Sequence, residues 1–237
     1  MRANSTDGVG YWSLAGDHIP CTNETFGDTS ETTAIDLYAT GETVPDQVTN
    51  VQATDGVHTD KVVVTWNVAS GADKYYVWNG SGWIDVGLVT TWDHTGAPAP
   101  TITAGTASAS DGESVDHVTL SIAGESANVG SSISYKVKAW NAAGYGAESA
   151  TNAGYRGVGE LTFQWHRSSG DADEDYSSID GATTDPYNDT GAPADGSGRY
   201  YKCVENATGA SEQTTNADRG YRISVAVVNA LFFGSNL

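Results

Sequence analysis

The chain carries a duplicated phrase whose two copies continue differently. Residues 95–99 read Thr-Gly-Ala-Pro-Ala, and so do residues 190–194. The second copy is soon followed by Tyr201-Lys202-Cys203, whereas the matching Tyr135-Lys136-Val137 follows the first copy only after a long intervening stretch. Both copies close on Gly-Tyr-Arg, at 154–156 and 220–222. The first unit therefore contains an insertion, and what that insertion encodes constrains the fold.

The inserted stretch reads like the beginning of another unit. Residues 109–112 (Ala-Ser-Asp-Gly) echo 53–56 (Ala-Thr-Asp-Gly), and the apolar alternation of 118–122 echoes that of 62–66. The order along the chain is then the opening of the first unit, the opening of the second, the closing part of the first and the remainder of the second. Since internal repeats mark structural units, we predict two interleaved domains.

Composition and alternation both indicate strands. The 237 residues include 28 Gly, 12 Tyr and 7 Trp but only 4 Phe and one Met, which is typical of short strands joined by turns. Val62, Val64 and Trp66 alternate with more polar neighbours, as do Tyr135 and Val137. We predict an all-β protein of two antiparallel β-sandwiches, with an N-terminal arm and a C-terminal apolar strand.

The repeats also predict where the domains divide. The predicted divisions are an N-terminal arm at 1–45, a first domain at 46–99 plus 131–156, a second domain at 100–130 plus 157–222, and an apolar segment at 223–237. With Trp66 on its second strand and Tyr135 on its sixth, the first domain resembles a fibronectin type III domain.

The second domain resembles an immunoglobulin-like domain. Tyr201 two residues before Cys203 looks like a tyrosine corner, and Trp165 stands upstream where such a domain keeps its core tryptophan. The strand at 118–122 lacks the partner cysteine, so the resemblance implies a domain without the core disulfide. Cys21 and Cys203 are predicted to be separate thiols.

Charge limits the partners. The formal net charge is −19, which disfavours binding to nucleic acid or to anionic membrane surfaces. The apolar run from Ile223 to Phe233 is too short to cross a bilayer, which takes about 20 residues. The first residues lack the apolar core of a secretion signal, so we expect synthesis in a cytoplasm.

No pattern in the sequence indicates catalysis. The histidines are scattered without the spacing of metal ligands, and there is no nucleophile elbow, phosphate loop or zinc signature. We therefore predict a protein that is not an enzyme and needs no cofactor, with calcium as the one candidate ion.

Three groups of side chains are candidates for contacts. Aromatic residues around one predicted hairpin could stack on sugars or anchor a protein partner: Tyr75, Tyr76, Trp78, Trp83 and Trp92. Apolar residues near the two ends could serve assembly: Trp12, Leu231, Phe232 and Phe233. An acidic cluster could offer oxygens to calcium or form a solvated hairpin tip: Asp171, Asp173, Glu174 and Asp175.

The paired domains, the Gly-Tyr-Arg endings and the repeated Thr-Gly-Ala-Pro phrase are similar to the surface modules of tailed bacteriophage structural proteins. That resemblance covers 46–222 and implies a virion structural protein made in the host cytoplasm and displayed on the particle as a head decoration, fibre or tail component. It also implies weak adhesion to host-surface glycans and contacts with other copies of itself and with capsid or tail proteins. The alternative is an extracellular role, as a bacterial filament or adhesin subunit or as the accessory binding module of a secreted polysaccharide-active protein.

Overall fold

The computed structural model describes residues 11–14, 17–20 and 43–224, and the chain divides into two units, 1–41 and 42–237. In the first unit, β1 (Tyr11–Leu14) pairs antiparallel with β2 (Asp17–Pro20), and Trp12 lies opposite Ile19. Leu231, Phe232 and Phe233 lie outside the described residues, as does the side chain of Trp12. The predicted assembly contacts therefore stay a prediction.

The second unit consists of short strands. They are β3 (Gln52–Ala53), β4 (Val62–Thr65), β5 (Lys74–Trp78), β6 (Trp83–Gly87), β7 (Thr91–His94), β8 (Thr101–Thr103), β9 (Thr106–Ala109), β10 (Val118–Ala123), β11 (Ser126–Asn128), β12 (Ile133–Asn141), β13 (Gly144–Tyr145), β14 (Asn152–Gly154), β15 (Thr162–Ser168), β16 (Tyr176–Ser178), β17 (Tyr187–Asp189), β18 (Arg199–Asn206), β19 (Gln213–Thr214) and β20 (Asp218–Gly220). None of the described residues lies in a helix, so that part of the chain contains no helix able to cross a membrane.

The strands form two sandwiches with the same sheet order. In the first, β3-β4-β7 faces β6-β5-β12-β13, and β14 also pairs with β12. In the second, β9-β10-β17 faces β16-β15-β18-β19, and β20 also pairs with β18. All of these named strand pairs are antiparallel. The predicted all-β sandwich fold is confirmed, and the sheet order is the one expected for fibronectin type III and immunoglobulin-like folds.

Each sandwich has its own hydrophobic core. Buried residues of the first core include Val62, Val64, Trp66, Tyr75, Val77, Tyr135, Val137 and Ala139. Buried residues of the second include Val118, Leu120, Ile122, Trp165, Tyr201 and Cys203. Since the second core takes residues from between β7 and β12, the chain leaves the first sandwich, supplies two strands to the second and returns. The outgoing and returning segments, β8 and β11, pair with each other as a two-stranded ribbon.

The repeated Asp-Gly and Gly-Tyr-Arg phrases meet at one end of each sandwich. In the first sandwich, the amide of Gly56 donates to the carbonyl of Tyr155 at 3.0 Å. In the second, Gly112 donates in the same way to Tyr221 at 2.8 Å. Both glycines have a φ of 70°, and a Cβ on Gly112 would lie 2.8 Å from the Tyr221 ring, so this turn requires glycine.

The arginine of each Gly-Tyr-Arg phrase joins this end to the Thr-Gly-Ala-Pro phrase. Arg156 donates from Nε and Nη2 to the carbonyl of Thr59 and from Nη1 to that of Ala97, at 2.9, 2.7 and 3.2 Å. Arg222 donates to the carbonyl of Ala192 at 2.9 Å and from Nε to that of Val115 at 2.8 Å. Hydrogen bonds from a charged donor are stronger than neutral ones, so these repeated phrases have a structural role in closing each sandwich.

The core of the second sandwich holds its tryptophan without a disulfide. Trp165 is fully buried, lies opposite Cys203 across β15 and β18, and donates its indole N–H to the carbonyl of Thr184 at 3.1 Å. Cys203 is a free thiol whose pKa is raised to about 12 by burial. Strand β10 supplies Leu120 and its apolar neighbours to this core, so aliphatic packing replaces the disulfide.

Candidate binding face of the first sandwich

Alternation along β5 decides which of the predicted contact aromatics reach the surface. Tyr75 points inward: it is 1% exposed, packs edge-on against Trp66 at 5.7 Å between ring centroids, and accepts a hydrogen bond from the amide of Ala69 at 2.9 Å. Tyr76 and Trp78 point to the opposite side and are half-buried. Tyr75 is therefore a core residue, and the prediction that it takes part in a surface contact is wrong.

The outer side of the sheet β6-β5-β12-β13 collects aromatic rings and lysines. We call this set of residues the aromatic–lysine face: Lys74, Tyr76, Trp78, Trp83, Lys136, Lys138, Trp140 and Tyr145. The register of β5 against β12 places Tyr76 opposite Lys138 and Trp78 opposite Lys136. Cross-strand neighbours on one face lie close enough for their side chains to interact, so the pairing of β5 with β12 brings rings and ammonium groups together.

The rings meet edge to face. Trp78 and Trp83 have centroids 5.8 Å apart at an interplanar angle of 60°, and Tyr76 and Tyr145 are 5.4 Å apart at 69°. The ammonium of Lys138 lies 4.1 Å from the centroids of both Trp83 and Tyr145. Cation–π contacts of this kind contribute about 0.5–1 kcal/mol each at exposed sites, so the rings are held in place before any partner arrives.

Two of the three lysines on this face also pair with carboxylates. Lys74 donates to Asp85 at 2.7 Å, and Lys136 to Glu148 at 3.1 Å. The hydrogen bond from Lys74 lowers the pKa of Asp85 and, reciprocally, raises the pKa of Lys74. Within residues 43–224, Lys138 forms no ion pair. In a chain of net charge −19, its ammonium is the cation of this face that remains open to an acceptor on a partner.

Trp92 does not lie on the aromatic–lysine face. It lies on β7 in the opposite sheet, packs against the first core and stacks on His94 with centroids 5.0 Å apart at 19°. The predicted aromatic set is therefore divided: Tyr76, Trp78 and Trp83 lie together, while Tyr75 and Trp92 do not join them. Sequence reasoning missed Trp140 and Tyr145, because only the pairing of β12 with β5 and β13 shows that they share this face.

Two of the four acidic residues predicted as a calcium site bind other side chains. Asp171 accepts two hydrogen bonds of 2.7 Å from Arg219, which lower the pKa of Asp171. Asp173 accepts a short hydrogen bond from Tyr176. Among the described residues, no group of three or more His, Cys, Asp or Glu side chains is arranged to hold a metal ion. Glu174 and Asp175 complete the acidic loop, and the calcium prediction has no geometric support there.

Comparison with known proteins finds a similar solved structure but no matching family and no matching curated protein. Among solved structures it is similar to the crystal structure of chicken CNTN1 FN1-FN3 domains, at 10% sequence identity and a TM-score of 0.19, over 75% of this chain and 99% of that one. The assignment of the fold therefore comes from the strand order and the two cores described above.

Proposed function

We propose that this chain is a non-enzymatic structural and binding module, displayed on the surface of a tailed phage particle, that presents the aromatic–lysine face to a partner. The observation that supports the binding role is the face itself. Several aromatic rings in contact with one another and an ammonium group lie together on the outer side of one sheet. Fully burying an aromatic side chain removes about 150–250 Å² from water, so a few such rings suffice to anchor a contact. The phage location is supported by the sequence resemblance alone.

The connection between the sandwiches supports the structural role. Gly209 follows β18 of the second sandwich at a φ of 93°, and a Cβ there would lie 2.7 Å from Cβ of Thr59 in the first. Gly157, where the chain passes to the second sandwich, donates to the carbonyl of His58 at 2.8 Å. The close approach at Gly209, the hydrogen bond from Gly157 to His58 and the β8–β11 ribbon favour a rigid pair over two domains on a flexible linker.

The partners we propose are other copies of the chain, capsid or tail proteins, and glycans of the host surface. The face suits weak adhesion, because rings can stack on the apolar side of a sugar while the ammonium of Lys138 meets an oxygen. A particle that carries many copies would add weak contacts into strong attachment.

Quantitative mass spectrometry of phage particles from a producing culture tests the location. We expect the chain at tens of copies or more per particle after density-gradient purification. Recovery only in the culture fluid or in cell-bound filaments would overturn the phage location in favour of the extracellular alternative.

A pair of matched variants tests the binding role. Trp83→Ala removes a ring of the face that Lys138 contacts, and Tyr176→Ala removes the ring that Lys202 contacts at 4.0 Å in the second sandwich. We expect the first variant to reduce the adsorption of particles, or of the purified chain, to host cells at least fivefold and the second to leave it unchanged. Equal adsorption of the two variants would contradict a binding role for the aromatic–lysine face.

A further inference from the structure

A cleft of about 620 Å³ opens at one end of the first sandwich, beside the β5–β6 hairpin. Trp78 and the turn at 79–81 line one wall, and His94, Ser132 and Ser134 line the others. Its lining residues include no Asp, Glu, Lys or Arg. Clefts of roughly 300–1,000 Å³ that combine an aromatic surface with a few converging polar groups are typical of small-molecule sites, and this one is uncharged.

His94 is held in one orientation at the wall of this cleft. Its Nδ1 lies 2.9 Å from the hydroxyl of Tyr135, and its ring is stacked on Trp92. Tyr135 is fully buried, and burial raises its pKa to about 12, so the phenol keeps its proton at neutral pH.

Among residues 43–224 the Tyr135 hydroxyl has no acceptor other than this imidazole, so the phenol donates to Nδ1. Burial lowers the pKa of His94, which favours the neutral ring. With Nδ1 assigned as the acceptor of the phenol, the ring proton is on Nε2. The cleft wall therefore carries a fixed N–H donor, set in place by two neighbours that do not line the cleft.

In the second sandwich, side chains occupy the place that corresponds to this cleft. Asp189 precedes the second Thr-Gly-Ala-Pro phrase as His94 precedes the first. Asp189 is 1% exposed and accepts from the Tyr201 hydroxyl at 3.1 Å and from Arg167 at 2.7 and 3.0 Å. A Cβ on Gly191 would lie 2.9 Å from the Arg167 guanidinium, so the arginine covers this end. Two copies of one fold thus differ here, one closed by an ion pair and one open with an imidazole at its wall.

We infer that the cleft binds an uncharged carbohydrate, with the apolar side of a pyranose on Trp78 and its oxygens meeting the Nε2–H of His94 and the hydroxyls of Ser132 and Ser134. None of the hydrogen bonds within 43–224 uses those two hydroxyls, so they are available in both donor and acceptor roles. The absence of charge in the lining favours neutral over acidic sugars. This inference rests on the proposed adhesive role and names the class of ligand.

The test uses the purified full chain on an array of neutral glycans and of glycans that carry uronic or sialic acids, followed by calorimetric titration of the best neutral oligosaccharide. We expect binding to neutral glycans and at least tenfold weaker binding by Trp78→Ala. Tyr176→Ala, on the second sandwich and outside the lining of the cleft, serves as the control and should bind like the natural chain.

A second variant closes the cleft without leaving Tyr135 unpaired. The double substitution Asn79→Arg with His94→Asp copies the Arg167–Asp189 pair. Arg167 lies opposite Tyr201 where β15 pairs with β18. Asn79 directly follows Trp78, which lies opposite Lys136, the residue after Tyr135. We expect a folded protein, by circular dichroism and a single melting transition, that has lost glycan binding at least tenfold.

The outcomes separate the two claims. Binding only to acidic glycans, binding to none, or neutral-glycan binding that both cleft variants retain would each overturn the inference. Any of these results combined with a fivefold adsorption loss in Trp83→Ala would leave the proposed binding role standing. Neutral-glycan binding by a chain that is missing from phage particles would support the cleft and contradict the phage location.

Discussion

Leu120→Ala tests whether the two sandwiches unfold as one unit. Leu120 is fully buried in the second core on β10, which lies in the chain between β8 and β11. Truncating a buried leucine to alanine costs about 2–5 kcal/mol. A middle value of about 3 kcal/mol corresponds to a decrease in melting temperature of roughly 6–12 °C for a protein of this length.

The coupling between the sandwiches can be estimated from chain entropy. If the second sandwich unfolded alone, residues 101–130 would become a loop of roughly 30 residues inside the first sandwich, and closing such a loop costs about 3.6 kcal/mol. The first sandwich would also lose the contact of Gly209 with Thr59. The loop cost alone is roughly a quarter to three quarters of the 5–15 kcal/mol that typically stabilises a domain. Together with the lost contact, we expect it to leave the first sandwich too weakly stabilised to stay folded when the second unfolds.

Hydrogen exchange measured by mass spectrometry distinguishes coupled from independent unfolding. In Leu120→Ala we expect amide protection to fall by the same factor, roughly 100-fold for 3 kcal/mol, in β18 of the second sandwich and in β12 of the first. The control Val68→Ala, at a side chain that is 74% exposed, should change neither. Unchanged protection in β12 while that of β18 falls, or two separate melting transitions, would refute the coupling.

Three further predictions concern single features. Arg222→Gln should lower the free energy of unfolding by about 1–3 kcal/mol in urea titration, because the carbonyls that accept from Arg222 lose a charged donor. Arg156→Gln should lower it by a similar amount. If neither variant is destabilised, the structural role of the repeated phrases is contradicted. Burial raises the pKa of Glu205, so the stability that this carboxyl contributes is complete below its unfolded pKa and is lost as pH rises through the folded value. The free energy of unfolding of Glu205→Gln, taken relative to that of the natural chain, should therefore be higher at pH 7 than at pH 4. An equal difference at the two pH values would contradict this direction. A calcium chelator should leave the melting temperature unchanged, because Asp171 is paired with Arg219, and a clear decrease would restore the calcium site.

The sequence by itself determined the class of fold and the repetition within it. Val62, Val64 and Trp66 alternate with polar neighbours, and a period of two allows little besides a strand with one buried side. The repeated Asp-Gly and Gly-Tyr-Arg phrases marked equivalent places in two units. A turn with positive φ requires glycine, and the carbonyls at this end of each sandwich require the arginine as a donor. The predicted domain divisions and the virion location stay predictions.

The tertiary structure decided which side chains meet. Alternation separates Tyr75 from Tyr76 but does not say which side is buried; only the opposite sheet does. The place of Lys138 beside Trp83 depends on the pairing of β5 with β12, strands that are far apart in sequence. Likewise, His94 and Asp189 occupy matching positions in the sequence, yet one lines an open cleft and the other lies in an ion pair. The local sequence determines where each strand runs, whereas long-range packing determines which strands lie beside it. A binding surface combines side chains from several adjacent strands, so only the tertiary structure reveals it.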